Sequence, residues 1–364
     1  MFEGGTWIGR AQALPAAQDS TGEWFRLGDL SLQLASEPQS FLDAFRAQWG
    51  DCTVAEPPPG LPRLHCSARL LAGSSRLLLS FAGCELPDLL DASATPVRML
   101  RHLARYADQS GPAPGWRMLA DRNDGSRILA AAHRDRLVVD LDEAPPDFAI
   151  DALIAVVQSA QPGLLFLHAA SFGVAGAGAL LIGAAQAGKS TTALALGARG
   201  HAVLGDDMAA IRAGSSELLP FRRTLRLRPG PSVASLAARL GTVPHAFAVD
   251  PGGTMRTLVR AGALFATPAC RPLPLRFAFV LDGFSTQPCL TPFRPDISSV
   301  EPLRGIVSES VPDWGRSPGR DLMKFLTIVD VLSKLSCHRL RLGTPEASAS
   351  AIETLMMEAT CNST

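Results

Sequence analysis

Leu30, Leu32 and Leu34 alternate with other residues at the end of Trp24–Leu34, the period of two that marks a strand with one buried face. Phe41, Phe45 and Trp49 then recur at helical spacing across Glu37–Gly50, which predicts a short helix with a core-facing stripe. After a Pro-rich break at 55–63, the runs Leu64–Leu71 and Arg76–Phe81 predict a hairpin turning at Gly73-Ser74-Ser75. A helix is predicted over Pro96–Tyr106, with Arg98, Arg101 and Arg105 on one solvated face. Strands follow near Trp116–Asp121 and Ile128–Ala132, around the turn signal Asn123-Asp124-Gly125-Ser126, and again over Arg136–Leu141. Phe148–Ala160 places Ile150, Leu153, Ile154 and Val157 on one helical face; it should pack on the sheet it leads into and end at Pro162-Gly163. A domain boundary is expected between Asp121 and Pro146, drawn at 125/126: an α+β unit over 1–125, and an α/β unit over 126–364.

In the second unit a short apolar run, Ala179–Ile182, reads as a buried strand, and Thr191–Arg199 reads as a helix stopped by Gly200. Between them, Gly183-Ala184-Ala185-Gln186-Ala187-Gly188-Lys189-Ser190, followed by Thr191, fits G-x-x-x-x-G-K-[ST]. The two glycines let backbone amides turn inward, and those amides with the positive helix N-terminus suit phosphate oxygens. Lys189 would reach the β- and γ-phosphates of ATP, and Ser190 would offer its hydroxyl to Mg²⁺. The next strand, His201–Leu204, ends in Gly205-Asp206-Asp207, so two carboxylates return 16 and 17 residues beyond Ser190. Ligands in open α/β sheets bind beyond the carboxyl ends of strands, where this pair would face the phosphates; Asp206 could equally cap a turn.

Further on, Met208–Ile211 continues as strand. Arg222, Arg223, Arg226 and Arg228 crowd together, either to hold an acidic peptide or phosphates or as a solvated edge strand. Residues 229–272 are rich in Pro, Gly and Ala, with a helix predicted at Ser232–Leu240 and a loop at Asp250–Thr254. Leu275–Leu281 is an apolar strand ending at Asp282, a spare candidate carboxylate. Leu322–Leu335 predicts a helix burying Leu322, Phe325, Leu326, Val329 and Leu332. His338–Gly343 predicts a closing strand, and Pro345–Met357 a last helix with Ile352 and Leu355 inward.

Composition narrows the class. Lys plus Arg and Asp plus Glu number 34 each among 364 residues, so net charge argues for neither a nucleic-acid nor a membrane partner. The seven Cys show no C-x-x-C spacing and their number is odd, which reads as reduced thiols in the cytoplasm without a zinc site. The opening MFEGGTWIGR lacks an apolar core, so no secretory signal is expected. Residues 164–185 are apolar, but they contain His168 and the nucleotide loop, which argues against a membrane span.

Loop, helix, Arg199-Gly200-His201, the apolar run Ala202–Leu204, Gly205 and Asp206-Asp207 together resemble the catalytic domain of HPr kinase/phosphorylase and its relatives. His168-Ala169-Ala170-Ser171-Phe172-Gly173 fits as well, since that family carries an active-site His one hairpin before the loop. The resemblance covers about residues 163–212 well and the rest of the C-terminal part faintly; it does not reach residues 1–120. It implies a P-loop kinase domain of the HPr kinase/phosphoenolpyruvate carboxykinase type, preceded by a small α+β domain. It further implies ATP and Mg²⁺ as cofactors, Asp207 as the proton acceptor for the attacking hydroxyl, His168 beside it, and Ser190 and Asp206 as metal ligands. His168 could instead be an ordinary core histidine. The family's further Glu ligand has no counterpart in Leu225–Pro231, and its later Arg-rich loop has no clear match. The chain looks more like the divergent HPr-kinase-related proteins of peptide natural-product pathways, in which lasso-peptide kinases phosphorylate a Ser of a precursor peptide. A peptide or small-protein substrate, recognised by the N-terminal unit, is implied on that footing, while a homo-oligomer is implied only by the resemblance to the HPr kinases themselves, from which the chain departs.

Overall fold

A computed structural model describes residues 22–82, 106–110, 117–121, 128–142, 148–184, 186–230, 233, 236–249, 254–265, 271–295 and 318–361. The chain forms two compact units, and its main run divides between Pro162 and Gly163.

The first unit is built on one sheet: β1 (Glu23–Leu27), β2 (Leu30–Ser36), β3 (Thr53–Val54), β4 (Arg63–Leu70), β5 (Arg76–Ala82), β6 (Tyr106–Ser110), β7 (Arg117–Asp121), β8 (Ile128–His133) and β9 (Arg136–Asp140), with helices α1 (Gln39–Trp49) and α2 (Phe148–Ser159). The strand order is β3-β1-β2-β4-β5-β9-β8-β7-β6. β2 and β4 pair in parallel, which requires a crossover, and α1 lies between them in the chain. Phe41, Phe45 and Trp49 are buried, as their spacing predicts. The predicted strand Trp24–Leu34 is instead a hairpin, because Gly28 adopts φ 69° and turns β1 back onto β2. Of the predicted helix Pro96–Tyr106, only Tyr106 is described, and it opens β6. The Arg98/Arg101/Arg105 face and the turn at 123–126 lie outside the described residues.

The boundary falls later than 125/126. β9 pairs with β5, from Arg76↔Asp140 to Ser80↔Arg136, so the strands after residue 125 complete the first sheet. Helix α2 also falls in the first unit, not with the sheet it precedes.

The second unit comprises β10 (Leu164–Leu167), β11 (Ala169–Val174), β12 (Ala177–Ile182), α3 (Lys189–Ala198), β13 (Ala202–Gly205), β14 (Ala209–Arg212), β15 (Glu217–Leu219), β16 (Leu225–Leu227), α4 (Ala237–Leu240), β17 (His245–Val249), β18 (Met255–Val259), α5 (Ala261–Phe265), β19 (Leu273–Phe284), β20 (Cys289–Pro292), α6 (Pro318–Ser333), β21 (Ser336–Leu342) and α7 (Pro345–Cys361). The main sheet runs β10-β14-β15-β19-β12-β11-β13, with β21 on β19 and β20 on β21. β12, β19 and β21 are parallel, while β11 is antiparallel to both β12 and β13. The carboxyl ends of β12, β13, β19 and β21 therefore share one edge of the sheet with the start of β11.

Both faces of this sheet are covered, which explains why its central strands are continuously apolar. Leu180, Ile182 and Ala278 pack with Ile328, Val331 and Leu332 of α6. Leu181, Phe277 and Phe279 pack with Ala193 and Leu196 of α3 and with Ala349, Ile352 and Met356 of α7. On α6 the predicted stripe is only partly right. Leu332 is buried as predicted, but Ile328 and Val331 are fully buried and Leu326 is 40% exposed, because the face of the helix that meets the sheet is rotated from the one expected.

The Pro/Gly/Ala-rich stretch 229–272, for which no strand is predicted, holds a hairpin, β17–β18, in a three-stranded sheet of order β16-β18-β17. Of the predicted helix Ser232–Leu240, the described regular part is α4. Cys52, Cys66, Cys289, Cys337 and Cys361 are free thiols; Cys84 and Cys270 lie outside the described residues. Among the described residues, no helix is long and apolar enough to cross a membrane.

Candidate active site

The glycine loop sits where β12 ends. A Cβ at Gly183 would lie 3.0 Å from Leu281 Cβ, so the loop leaves the sheet pressed against β19. Ala187 N–H donates to Ala184 O at 3.1 Å and closes a turn, while Ala185 lies outside the described residues. Gln186 (φ 66°) and Gly188 (φ 99°) are left-handed. The left-handed backbone at Gly188 favours glycine, and any side chain there would also push aside Leu342 Cδ1, 2.5 Å from where its Cβ would stand. Gly188 caps α3 without a side-chain acceptor, which leaves first-turn amides to be satisfied from outside the helix.

Lys189 opens α3, and its ammonium arches back over the loop. Nζ donates to Gly183 O at 2.7 Å and to Ala184 O at 3.0 Å. The cation is thus held over the concavity that the loop forms. Ser190 is exposed on the first turn and Thr191 is half-buried.

β13 brings in the acid pair. A Cβ at Gly205 would come within 2.3 Å of Met208 O, so the turn Gly205–Met208 closes only with glycine at its start. Ser190 donates to the Asp206 carboxylate, yet Asp206 Oδ1 is buried with no hydrogen-bond partner. Burial raises the Asp206 carboxyl to about 6 against the Ser190 hydrogen bond, and the neighbouring Asp207 charge adds to the rise.

Asp207 behaves in the opposite way. Its side chain is 51% exposed, and His168 Nδ1 lies 3.1 Å from its Oδ1 and 2.9 Å from its backbone O. Both oxygens are acceptors, so Nδ1 carries the hydrogen and donates to both. Desolvation alone would raise the Asp207 carboxyl. The hydrogen bond and charge of His168, with Arg223 and Lys189 behind them, lower it to about 2. His168 is therefore not a plain core histidine: the short link between β10 and β11 sets its ring against Asp207.

The arginine cluster divides. Arg222 is buried, Arg223 contributes charge at Asp207, and Arg226 and Arg228 are exposed on and beside β16, an edge strand of the small sheet. The sequence signalled the cluster but not which member faces the acid pair. Asp282 is exposed near the end of β19, on the other side of β12 from β13. Three strand spacings, about 14 Å, separate those strands, so Asp282 flanks the loop apart from the Asp206/Asp207 pair. Leu225–Pro231 supplies no carboxylate.

The donor set can be tested against Mg²⁺. This ion takes hard oxygen ligands, usually one or two carboxylates beside substrate phosphates rather than an all-protein cage. Asp206, with its orphaned buried oxygen, and the Ser190 hydroxyl bonded to it meet that requirement. Among the described residues, no cluster of three or more His, Cys, Asp or Glu side chains could hold a metal.

No family model matches the chain, and no curated protein does. Among solved structures the chain is similar to the HPr(Ser) kinase/phosphatase from Coxiella burnetii, at 16% sequence identity and a TM-score of 0.28, over 54% of this chain and 97% of that one. So slight a likeness carries neither a shared fold nor an activity.

Proposed function

We propose that this chain is a cytoplasmic, ATP-dependent kinase that transfers the γ-phosphoryl group to a serine hydroxyl of a peptide or small protein, with a natural-product precursor peptide as the acceptor. The observation that carries the reading is the contact of His168 Nδ1 with Asp207, on the same sheet edge as the Lys189 loop. Phosphoryl transfer needs positioning and charge neutralisation more than covalent help. The loop amides and Lys189 hold a triphosphate. Ser190 and Asp206 fit Mg²⁺, which when bound neutralises phosphate charge.

Asp207 is the proton acceptor. Kept ionised by His168, it is a weak base in the ground state. It takes the serine proton only as that hydroxyl becomes acidic during attack. His168 acts through Asp207, fixing its orientation from two oxygens at once. Asp207→Asn keeps the shape and removes the base, so transfer from γ-labelled ATP should disappear while ATP binding persists; undiminished transfer would overturn the role. Offering a serine-containing peptide beside free serine separates a peptide kinase from a small-molecule kinase. The missing acid in Leu225–Pro231 favours one further reading, a nucleotide-sensing regulator, which would retain ATP without turnover on either acceptor.

A further inference from the structure

The phosphate cradle accounts for only part of a nucleotide. Loop amides and Lys189 hold charge, and the sugar and base must lie beyond them. Phe284 stands at that border. It ends β19, whose other phenylalanines, Phe277 and Phe279, are buried at 4% and 0% exposure, whereas Phe284 is 63% exposed. Gly283, at φ 83°, turns the strand end and breaks its register with β21 between Leu281 and Phe284.

The Phe284 backbone is nevertheless anchored, and one edge of its ring lies against the loop. Its Cε1 and Cζ lie 3.7 and 3.8 Å from where a Cβ on Gly188 would stand, so its edge lies beside the last glycine of the loop. Its carbonyl accepts from Arg341 Nη2 at 3.3 Å, and the next amide, Ser285 N–H, donates to Leu342 O at 2.7 Å. The other exposed phenylalanine among the described residues, Phe247, belongs to β17 in the small sheet.

Resting on the kinase reading above, we propose that Phe284 is the stacking platform for the base of the bound nucleotide. An aromatic face offered to solvent from an anchored strand end suits a nucleotide base, since stacking needs only a π-face and tolerates any base. The anchoring of the Phe284 backbone by Arg341 and Leu342 means that the strand end itself need not be ordered on binding.

Equilibrium binding of ATP and of inorganic tripolyphosphate to the full chain tests this, because tripolyphosphate fills the cradle without a base. Phe284→Ala should weaken ATP about five- to 100-fold and leave tripolyphosphate unchanged, the latter also showing that the loop is intact. Phe284→Trp should restore ATP binding, with its indole fluorescence changing on addition of ATP but not of tripolyphosphate. Unchanged ATP affinity in Phe284→Ala, or an equal loss for both ligands, overturns the proposal. If the unaltered chain binds neither ligand, the phosphate loop itself fails and this inference with it.

Discussion

At the scale of single residues, the two adjacent carboxylates are driven apart. Asp207 is lowered to about 2 and Asp206 raised to about 6. His168→Ala removes the donor that lowers Asp207. The acid limb of the pH–rate profile should then move to higher pH, and a limb that stays where it was would show that His168 does not act through Asp207. Asp206 has the opposite linkage. Its folded value lies above the unfolded 3.8, so the native state binds more protons between those values, and stability falls as pH rises from about 4 to about 6. Asp206→Asn should abolish that fall in the nucleotide-free protein, a gain on the order of 1–3 kcal/mol at pH 7, read from urea unfolding at pH 4 and pH 7. Asp207 contributes in the other direction: its pairing stabilises the fold above its unfolded value and is lost as pH drops toward 2.

At the scale of elements, α6 offers a direct contrast. Ile328 is fully buried against the sheet and Leu326 is 40% exposed on the same helix. Ile328→Ala should cost about 2–5 kcal/mol, and Leu326→Ala no more than about 0.5 kcal/mol, in denaturant unfolding. Helices α3 and α7, side by side on the other face, are joined where α3 ends by Glu353, midway along α7, which accepts from Arg199 and His201. The pair with Arg199 is partly exposed, so Glu353→Ala should lower stability by less than about 1 kcal/mol and leave ATP affinity unchanged.

At the scale of the molecule, the two units have separate sheets, and all the proposed nucleotide contacts lie in the second. Hydrogen exchange with and without ATP and Mg²⁺ should show slowed amides at 183–191 and 205–208 and unchanged rates in β1, β2, β4 and β5. Slowing spread evenly over both sheets would mean that the nucleotide acts on the whole chain rather than on one pocket. The division at Pro162 was not legible in the sequence. β8 and β9 are short, largely apolar runs that would suit either sheet, and only the pairing of β9 with β5 shows which one they complete. The β17–β18 hairpin escaped notice for a similar reason. His245, Ala246 and Phe247 of β17 are exposed in a row, and β18 runs through three half-buried residues to a buried Val259, so no alternation of buried and exposed positions marks it.

What the amino-acid order determined by itself is local: the strand–loop–helix with its two glycines and lysine, the turn bearing Asp206 and Asp207, and the helical stripe of Phe41, Phe45 and Trp49. Each depends on neighbours a few residues apart, within reach of backbone sterics and side-chain periodicity. Tertiary structure alone decided that β11 runs antiparallel between β12 and β13, which delivers His168 to Asp207 from 39 residues away. It alone rotated α6 to bury Ile328 rather than Leu326, and placed Phe284 beside Gly188. Those outcomes depend on hydrogen-bond registers between distant strands and on the packing of whole faces, which no short window of sequence contains.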